Sequence, residues 1–202
     1  MAGTAQITVI SKESGMQFSF CPQSDGKALF PLTMIIGFPR PIQLKRLLRD
    51  MAGLGVCAIH LTGTELSEKS YMQSSLIERG SAYKMLLDGT VQAKSTHIPA
   101  LYVHHNLTEC LNSLPHIDSC CTALDNIQPQ SSLAQYLAAY SHKKNPCAYA
   151  AIGSERGWTH TERALLIEYG FTLCSMGTRI LRTESAATVA ASIILNALGY
   201  LG

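Results

Sequence analysis

Two stretches in the last third of the chain bring together residue types that suit anion chemistry. Gly177-Thr-Arg-Ile-Leu-Arg-Thr-Glu-Ser-Ala186 places Arg179, Arg182 and Glu184 in one short loop ahead of an alanine-rich run. Guanidinium forks donate to phosphates or to the oxygens of an anionic base, and a carboxylate can accept a proton. A plain solvated helix start is the competing role, with Thr183 as N-cap and Glu184 facing the helix dipole. Gly153-Ser-Glu-Arg-Gly157 follows a strand and precedes a helix, the place for a ligand-facing loop in an α/β fold. Its glycines equally suit an ordinary turn. It is neither a G-x-S-x-G nucleophile elbow nor a G-x-x-x-x-G-K phosphate loop.

Other groupings carry less. Gly53-Leu-Gly-Val-Cys-Ala58 matches a dinucleotide fingerprint by letters, but it closes a helix and opens a strand, so it reads as a helix C-cap and turn. His104 and His105 are adjacent, and strand neighbours face opposite ways, which favours packing or loop roles over a metal. The vicinal Cys120 and Cys121 read the same way. The seven cysteines include no C-x-x-C pair, and Cys57, Cys147 and Cys174 sit in apolar runs. Neither a disulfide framework nor a zinc site is expected. Arg40, Lys45, Arg46 and Arg49 share one side of a helix and could follow a phosphate backbone, or simply face water.

These residues need elements to hold them. Buried-strand runs are expected at Phe30–Gly37, Val56–Thr62, Ile98–His104, Ala148–Gly153 and Thr172–Met176. Helices are expected at Pro41–Gly53, with Ile42, Leu47, Leu48, Met51 and Leu54 inward, at Glu68–Leu87 with a break at Gly80, and at Ser132–His142. Two more are expected at Thr161–Tyr169, opened by a Thr159/Glu162 capping box, and at Glu184–Leu198. The alternation predicts an α/β domain with a parallel sheet. Residues 1–28 read as two short strands, Gln6–Ile10 and Met16–Phe20, and a turn at Pro22–Gly26. A pair of strands is unstable alone and must lean on the body or be a remnant.

The composition agrees with one domain. The chain has 202 residues, 47% hydrophobic and 15% charged, with a formal net charge of +2. That balance excludes a disordered chain and is too mild to indicate nucleic-acid binding by itself. The longest apolar stretch, Ala186–Leu198, is shorter than the ~20 residues a membrane span needs. No signal peptide is visible at the first residues, so a cytoplasmic location is the expectation.

Taken together, the motifs resemble a known family. Ala151-Ile-Gly-Ser-Glu-Arg-Gly-Trp158, Thr161-Glu162, Gly170-Phe171 and Met176-Gly-Thr-Arg-Ile-Leu-Arg-Thr-Glu-Ser-Ala186 are similar to the carboxyl-terminal signature of the bacterial ribosomal RNA uridine-N3 methyltransferases, members of the SPOUT superfamily. That family writes them I-G-P-E-G-G-[FW] and L-G-x-R-I-L-R-x-E-T-A. Upstream, Pro31–Arg40, Leu54–Val56 and Glu68–Tyr71 also match, so the resemblance runs from about residue 30 to the end.

The resemblance implies a parallel sheet with helices on both faces and a C-terminal deep trefoil knot over residues 29–202, with residues 1–28 a remnant of a PUA-like β-barrel. It implies S-adenosyl-L-methionine as cofactor, ribosomal RNA or the small ribosomal subunit as partner, a homodimer that completes the site, and no metal. Ile152, Gly153, Glu155 and Gly157 would line one cofactor loop, and Met176, Gly177, Ile180, Leu181 and Thr183 the next, with His104 and Leu107 on a third. Arg179, Arg182 and Glu184 would face the methyl-transfer region. The family's Pro and second Gly stand here as Ser154 and Arg156. If that glycine needs positive φ, an arginine there is strained or fills the pocket. A cofactor-impaired RNA-binding relative is therefore the second reading, and a Rossmann-like nucleotide enzyme the third.

Overall fold

A computed structural model describes residues 1–13, 15–72, 80–115, 120–140 and 147–201. The central strand β3 (Phe30–Gly37) shows why this sequence makes a covered parallel sheet. Leu32, Met34, Ile35 and Ile36 are all 0% exposed. Alternation along the strand sends Leu32, Met34 and Ile36 into one core and Ile35 into another. A strand apolar on both faces needs cover on both. The first face is covered by α1 (Pro41–Leu54), α3 (Ser81–Gln92), α5 (Leu133–Ala138) and α7 (Thr183–Ala197). The second is covered by α4 (Leu107–Ser113) and α6 (His160–Glu168). A short α2 (Lys69–Met72) precedes α3.

The sheet order is β5 (Ala100–His104), β4 (Val56–Thr62), β3, β8 (Ala148–Ile152), β6 (Cys120–Leu124), β9 (Thr172–Ser175) and β7 (Ser131–Ser132), with every described pairing parallel. The expected α/β class is what forms. β8 lies between β3 and β6, so a late strand enters the middle of the sheet. In β8, Ala148, Ala150 and Ile152 continue the first core, and Tyr149 and Ala151 the second.

Several expectations shift. In α1 the inward residue of the first turn is Leu44, while Ile42 is 66% exposed. The helix ends where Gly55 takes the left-handed conformation at φ 77°, which settles the Gly53–Ala58 letters as a C-cap. Gly80, at φ 67°, precedes α3, which continues to Gln92 rather than Leu87. The expected helices at Glu68–Leu87 and Ser132–His142 partly fall on residues 73–79 and 141–146, outside the described residues. β5 begins at Ala100 rather than Ile98, because Pro99 cannot donate to a ladder.

At the amino end, β1 (Ala2–Ser11) and β2 (Gly15–Ser24) form a longer antiparallel hairpin than expected, with Pro22 inside β2 rather than in a turn. Ile10, Met16 and Phe18 on it are exposed. No helix among the described residues is long and apolar enough to cross a membrane.

Candidate cofactor and RNA site

A cleft of about 450 Å³ opens at the carboxyl ends of the adjacent strands β8, β6 and β9. In a parallel sheet this edge is where loops gather and ligands bind. Three loops wall it: Leu124–Ile127 after β6, Ile152–Gly157 after β8, and a third after β9 that includes Met176, Gly177, Arg179, Ile180 and Leu181. Thr183 and Ala186 at the start of α7 close one end.

The β8 loop is a tight turn. Gly157 pairs back onto Ser154, donating to its carbonyl at 2.9 Å, and takes φ 72°. A Cβ on Gly153 would lie 2.8–3.0 Å from the Gly157 backbone, so both motif glycines are required by shape. Arg156 needs no such freedom. Lys94 is the only described non-glycine residue with positive φ, and Arg156 is exposed. The expected strain at Arg156 is absent. Ser154 Oγ, 5% exposed, has no hydrogen-bond partner among the described residues. A buried hydroxyl left unpaired costs about 1–3 kcal/mol, and a ligand atom in the cleft would relieve that cost.

Side chains from neighbouring helices brace these loops. Arg163 of α6 grips Asp125 through both ends of its fork, with Nη2 donating to Oδ1 at 3.2 Å and Nε to Oδ2. Asp125 Oδ1 also accepts from the Ile127 backbone at 2.9 Å. Burial alone would raise the Asp125 pKa, but Arg163 and the backbone donors outweigh it and hold the carboxyl below its ordinary range. Trp158, 2% exposed, donates from its indole to Leu124 O at 3.1 Å. The Thr159/Glu162 capping box forms as expected, and the other oxygen of Glu162 accepts from Glu65 N at 2.9 Å.

Ile152, Gly153, Glu155, Gly157, Met176, Gly177, Arg179, Ile180, Leu181 and Thr183 all line this cleft. Glu155 also reaches outward, where its Oε1 accepts from Arg40 N at 3.1 Å, at the start of α1. Arg182 and Glu184 lie beside the cleft rather than in its wall. Arg182 is the N-cap of α7, Thr183 is its first helical residue, and no side chain caps that end, so Thr183 is not the cap expected. His104 and Leu107 belong elsewhere. β5 stands apart from β8 across β4 and β3, and Leu107, 3% exposed, packs in the second core. Arg40, Lys45, Arg46 and Arg49 are exposed on α1, with Arg49 Nη2 held 3.5 Å from Asp88.

The family model of the RNA methyltransferase domain matches residues 27–195. The chain belongs to that family. The ribosomal RNA small subunit methyltransferase E of Treponema pallidum (strain Nichols) is 41% identical over 193 residues, covering 96% of this chain and 72% of the relative. The ribosomal RNA small subunit methyltransferase E 1 of Borreliella burgdorferi is 33% identical over 177 residues, covering 84% and 68%. The crystal structure of a ribosomal RNA small subunit methyltransferase E from Neisseria gonorrhoeae, bound to S-adenosyl methionine, superimposes with a TM-score of 0.77 at 20% identity, covering 96% of this chain and 78% of that one. That likeness shows the fold.

In this RNA methyltransferase domain the sequence pattern gives no sign of the β6 wall. β6 is short, its Cys-Cys-Thr start suggests no strand, and Asp125 carries no motif. The Arg163 partner could have been suspected, because an arginine inside a capped apolar helix needs a buried acid. Helix α4 was likewise not expected, although Asn106 with Glu109 three residues on is a capping pattern, and Asn106 Oδ1 does accept from Glu109 N at 2.8 Å.

Away from the cleft, His60 of β4 and His104 of β5 share a 2.9 Å hydrogen bond between Nδ1 and Nε2. Burial, then the neighbouring His104, pushes the His60 pKa down to about 4, and burial lowers His104 as well. A lowered folded pKa means the unfolded chain takes up protons first. The stability tied to His60 is therefore full above pH ~6.5 and is lost as pH falls toward about 4, by about 1–3 kcal/mol once solvent screening is allowed for. Urea midpoints at pH 7.5 and 4.5 should show this fall in the native chain and a smaller one in His60→Gln. An equal fall in both would place the acid sensitivity elsewhere.

Proposed function

We propose that this chain transfers a methyl group from S-adenosyl-L-methionine to N3 of a uridine in small-subunit ribosomal RNA. The observation that carries the reading is the cleft at β8, β6 and β9, where the tightly turned β8 loop and the Gly177 loop after β9 meet a buried Ser154 hydroxyl that has no hydrogen-bond partner among the described residues. The residues present fit the cofactor. Ile152, Met176, Leu181 and Ala186 offer apolar surface for an adenine, and Gly157 and Gly177 have open space beside their Cα atoms for a close ligand.

When bound, the sulfonium supplies an activated methyl group, so what the protein itself must provide is placement and charge. Arg179, in the cleft wall, and Arg182, at the start of α7, would donate to the uracil oxygens and favour the ring as its N3 anion. Glu184, in the first turn of α7, would accept the N3 proton, leaving that nitrogen's electron pair free to take the methyl. The exposed Arg40, Lys45 and Arg46 would steer the RNA backbone.

The rest of the reading follows from the same site. Ile180 is 82% exposed beside the cleft, Leu181 39% and Val189 39%, an apolar rim suited to a second copy of the chain. The entry of β8 between β3 and β6 supports a carboxyl-terminal knot threading residues 29–202. The hairpin of β1 and β2 forms a two-stranded sheet of its own, compatible with part of a PUA-like β-barrel over residues 1–28. The work would be done in the cytoplasm, where ribosomes are. The methyl transfer itself calls for no metal. Arg156 lines the cleft, but it is exposed and has no positive φ, so the strain that motivated a cofactor-impaired relative is absent, and Gly55 as a helix cap argues against the dinucleotide reading.

Calorimetry should find S-adenosylmethionine bound by the folded chain, and small subunits incubated with both should yield N3-methyluridine on nucleoside analysis. Glu184→Ala should keep cofactor binding and lose roughly 10²–10⁴-fold in kcat, the range for a general base. A folded chain that binds no cofactor overturns the function. Undiminished transfer by Glu184→Ala overturns only the role given to that residue.

A further inference from the structure

The geometry points to a second site, unrelated to methyl transfer: a thiophilic transition-metal ion, of the zinc(II) class, held by His60, His104 and Cys110. The three residues come from β4, the end of β5 and the middle of α4, and are 7%, 7% and 0% exposed. One ligand atom of each, a ring nitrogen or the sulfur, lies within 4.8 Å of the other two. Imidazole nitrogen and cysteine thiolate are both zinc ligands, and three protein ligands would leave a fourth position open to water.

Distances decide whether an ion fits. Zinc–nitrogen bonds of ~2.0–2.1 Å and zinc–sulfur bonds of ~2.3 Å, at tetrahedral angles, leave donor atoms roughly 3.3–3.6 Å apart. His60 Nδ1 and His104 Nε2, now 2.9 Å apart, must part by roughly 0.4 Å. The sulfur must close by no more than roughly 1.3 Å, which side-chain rotation supplies. The two rings lie 2° from parallel with centroids 5.1 Å apart, so they face each other across one shared proton. On binding, that proton moves to the outer nitrogen of the same ring, and the Cys110 proton leaves to solvent.

The surrounding chain is arranged to hold these donors. Asn106 caps α4 by accepting from Glu109 N at 2.8 Å, and Glu109 Oε2 returns the contact to His105 N at 2.8 Å. That reciprocal pair fixes the turn between His104 and Cys110, so both reach one point. The nearby Glu109 carboxylate adds negative charge, which favours a cation. The Tyr102 ring lies 4.6 Å from the His60 ring, tilted by 31°, and Tyr102 is 49% exposed, which puts the cluster one side chain from solvent at the sheet edge. A bound ion would pin edge strand β5 and helix α4 to β4.

The test uses the full chain, stripped with a chelator and titrated with cobalt(II). One ion per chain is expected, with the visible bands of tetrahedral cobalt and a sulfur-to-cobalt charge-transfer band, both displaced by zinc(II). Cys110→Ser should abolish the charge-transfer band, and His104→Gln should weaken binding more than ~10-fold, since even outer-shell partners are worth ~10–100-fold. Replacing the two exposed thiols, Cys21 and Cys147, by serine should leave the bands intact. X-ray absorption at the cobalt edge of the unaltered chain should count one sulfur and two nitrogens, a readout that does not depend on any variant folding. No binding by the folded chain, a band that survives Cys110→Ser, or a ligand count without sulfur would each overturn the site.

Discussion

Replacing Arg163 by methionine is expected to cost about 3–5 kcal/mol of stability, the range for stripping one partner from a buried ion pair. The side chains of Arg163 and Asp125 are 8% and 2% exposed. With the guanidinium gone, Asp125 must either stay charged without a counter-ion or take up a proton, and burial makes the first option worse. The damage reaches the cleft, because the Asp125 carboxylate also accepts from Ile127 N, and its own backbone N–H donates to Cys174 O at 2.9 Å. It therefore ties the β6 wall to the β9 wall. Urea unfolding should show the loss, and calorimetry should show weaker cofactor binding in conditions where the variant is still folded. Asp125→Asn in the same chain should restore part of the stability by removing the stranded charge, giving a non-additive cycle. A loss below ~1 kcal/mol would mean that solvent reaches this pair and that the brace is unimportant.

The legible parts of this fold were those in which one local pattern decides the structure. β4 forms over the span read from its apolar run, Val56–Thr62. The helix at His160–Glu168 starts where Thr159 and Glu162 cap it. In both cases the information lies within a few neighbouring residues. β6 was not legible, since Cys-Cys-Thr-Ala-Leu becomes a strand only because β8 and β9 offer it ladders on both sides. Tertiary pairing overrides weak propensity there. The exchange of Leu44 for Ile42 in α1 is a phase error: both fit a helical stripe, and only the position of α3 and α7 against the sheet selects between them.

The site divides along the same line. The motif glycines and arginines are contiguous in sequence, so the loops they build were readable. The Asp125–Arg163 brace joins residues far apart in the chain, and its acid carries no motif. His104 was placed at the cofactor by the family resemblance alone. The strand order places its strand end at the opposite side of the sheet, beside His60, and order is a property no local window contains.

Gly153→Ala should weaken cofactor binding sharply while leaving the fold in place. The added Cβ would sit 2.8 Å from Gly157 C, 2.9 Å from its Cα and 3.0 Å from its O, and backbone atoms cannot swing aside as a side-chain tip can. Either the Ser154–Gly157 turn opens or the end of β8 shifts, and both move the wall that a ligand must touch. A displacement of ~1 Å in a positioning loop can cost ~10²-fold in rate, so at least that loss is expected in kcat/KM, with cofactor affinity falling alongside. Gly53→Ala is the matched control. It lies in α1, a Cβ there meets nothing within 4 Å, and it should stabilise the chain by about 0.5–1 kcal/mol without touching methyl transfer. Calorimetry with S-adenosylmethionine on both variants, after circular dichroism has shown each folded, gives the comparison. Native affinity in Gly153→Ala would mean that the turn after β8 is not a wall of the cofactor site, because no ligand in contact with that turn could be indifferent to its opening.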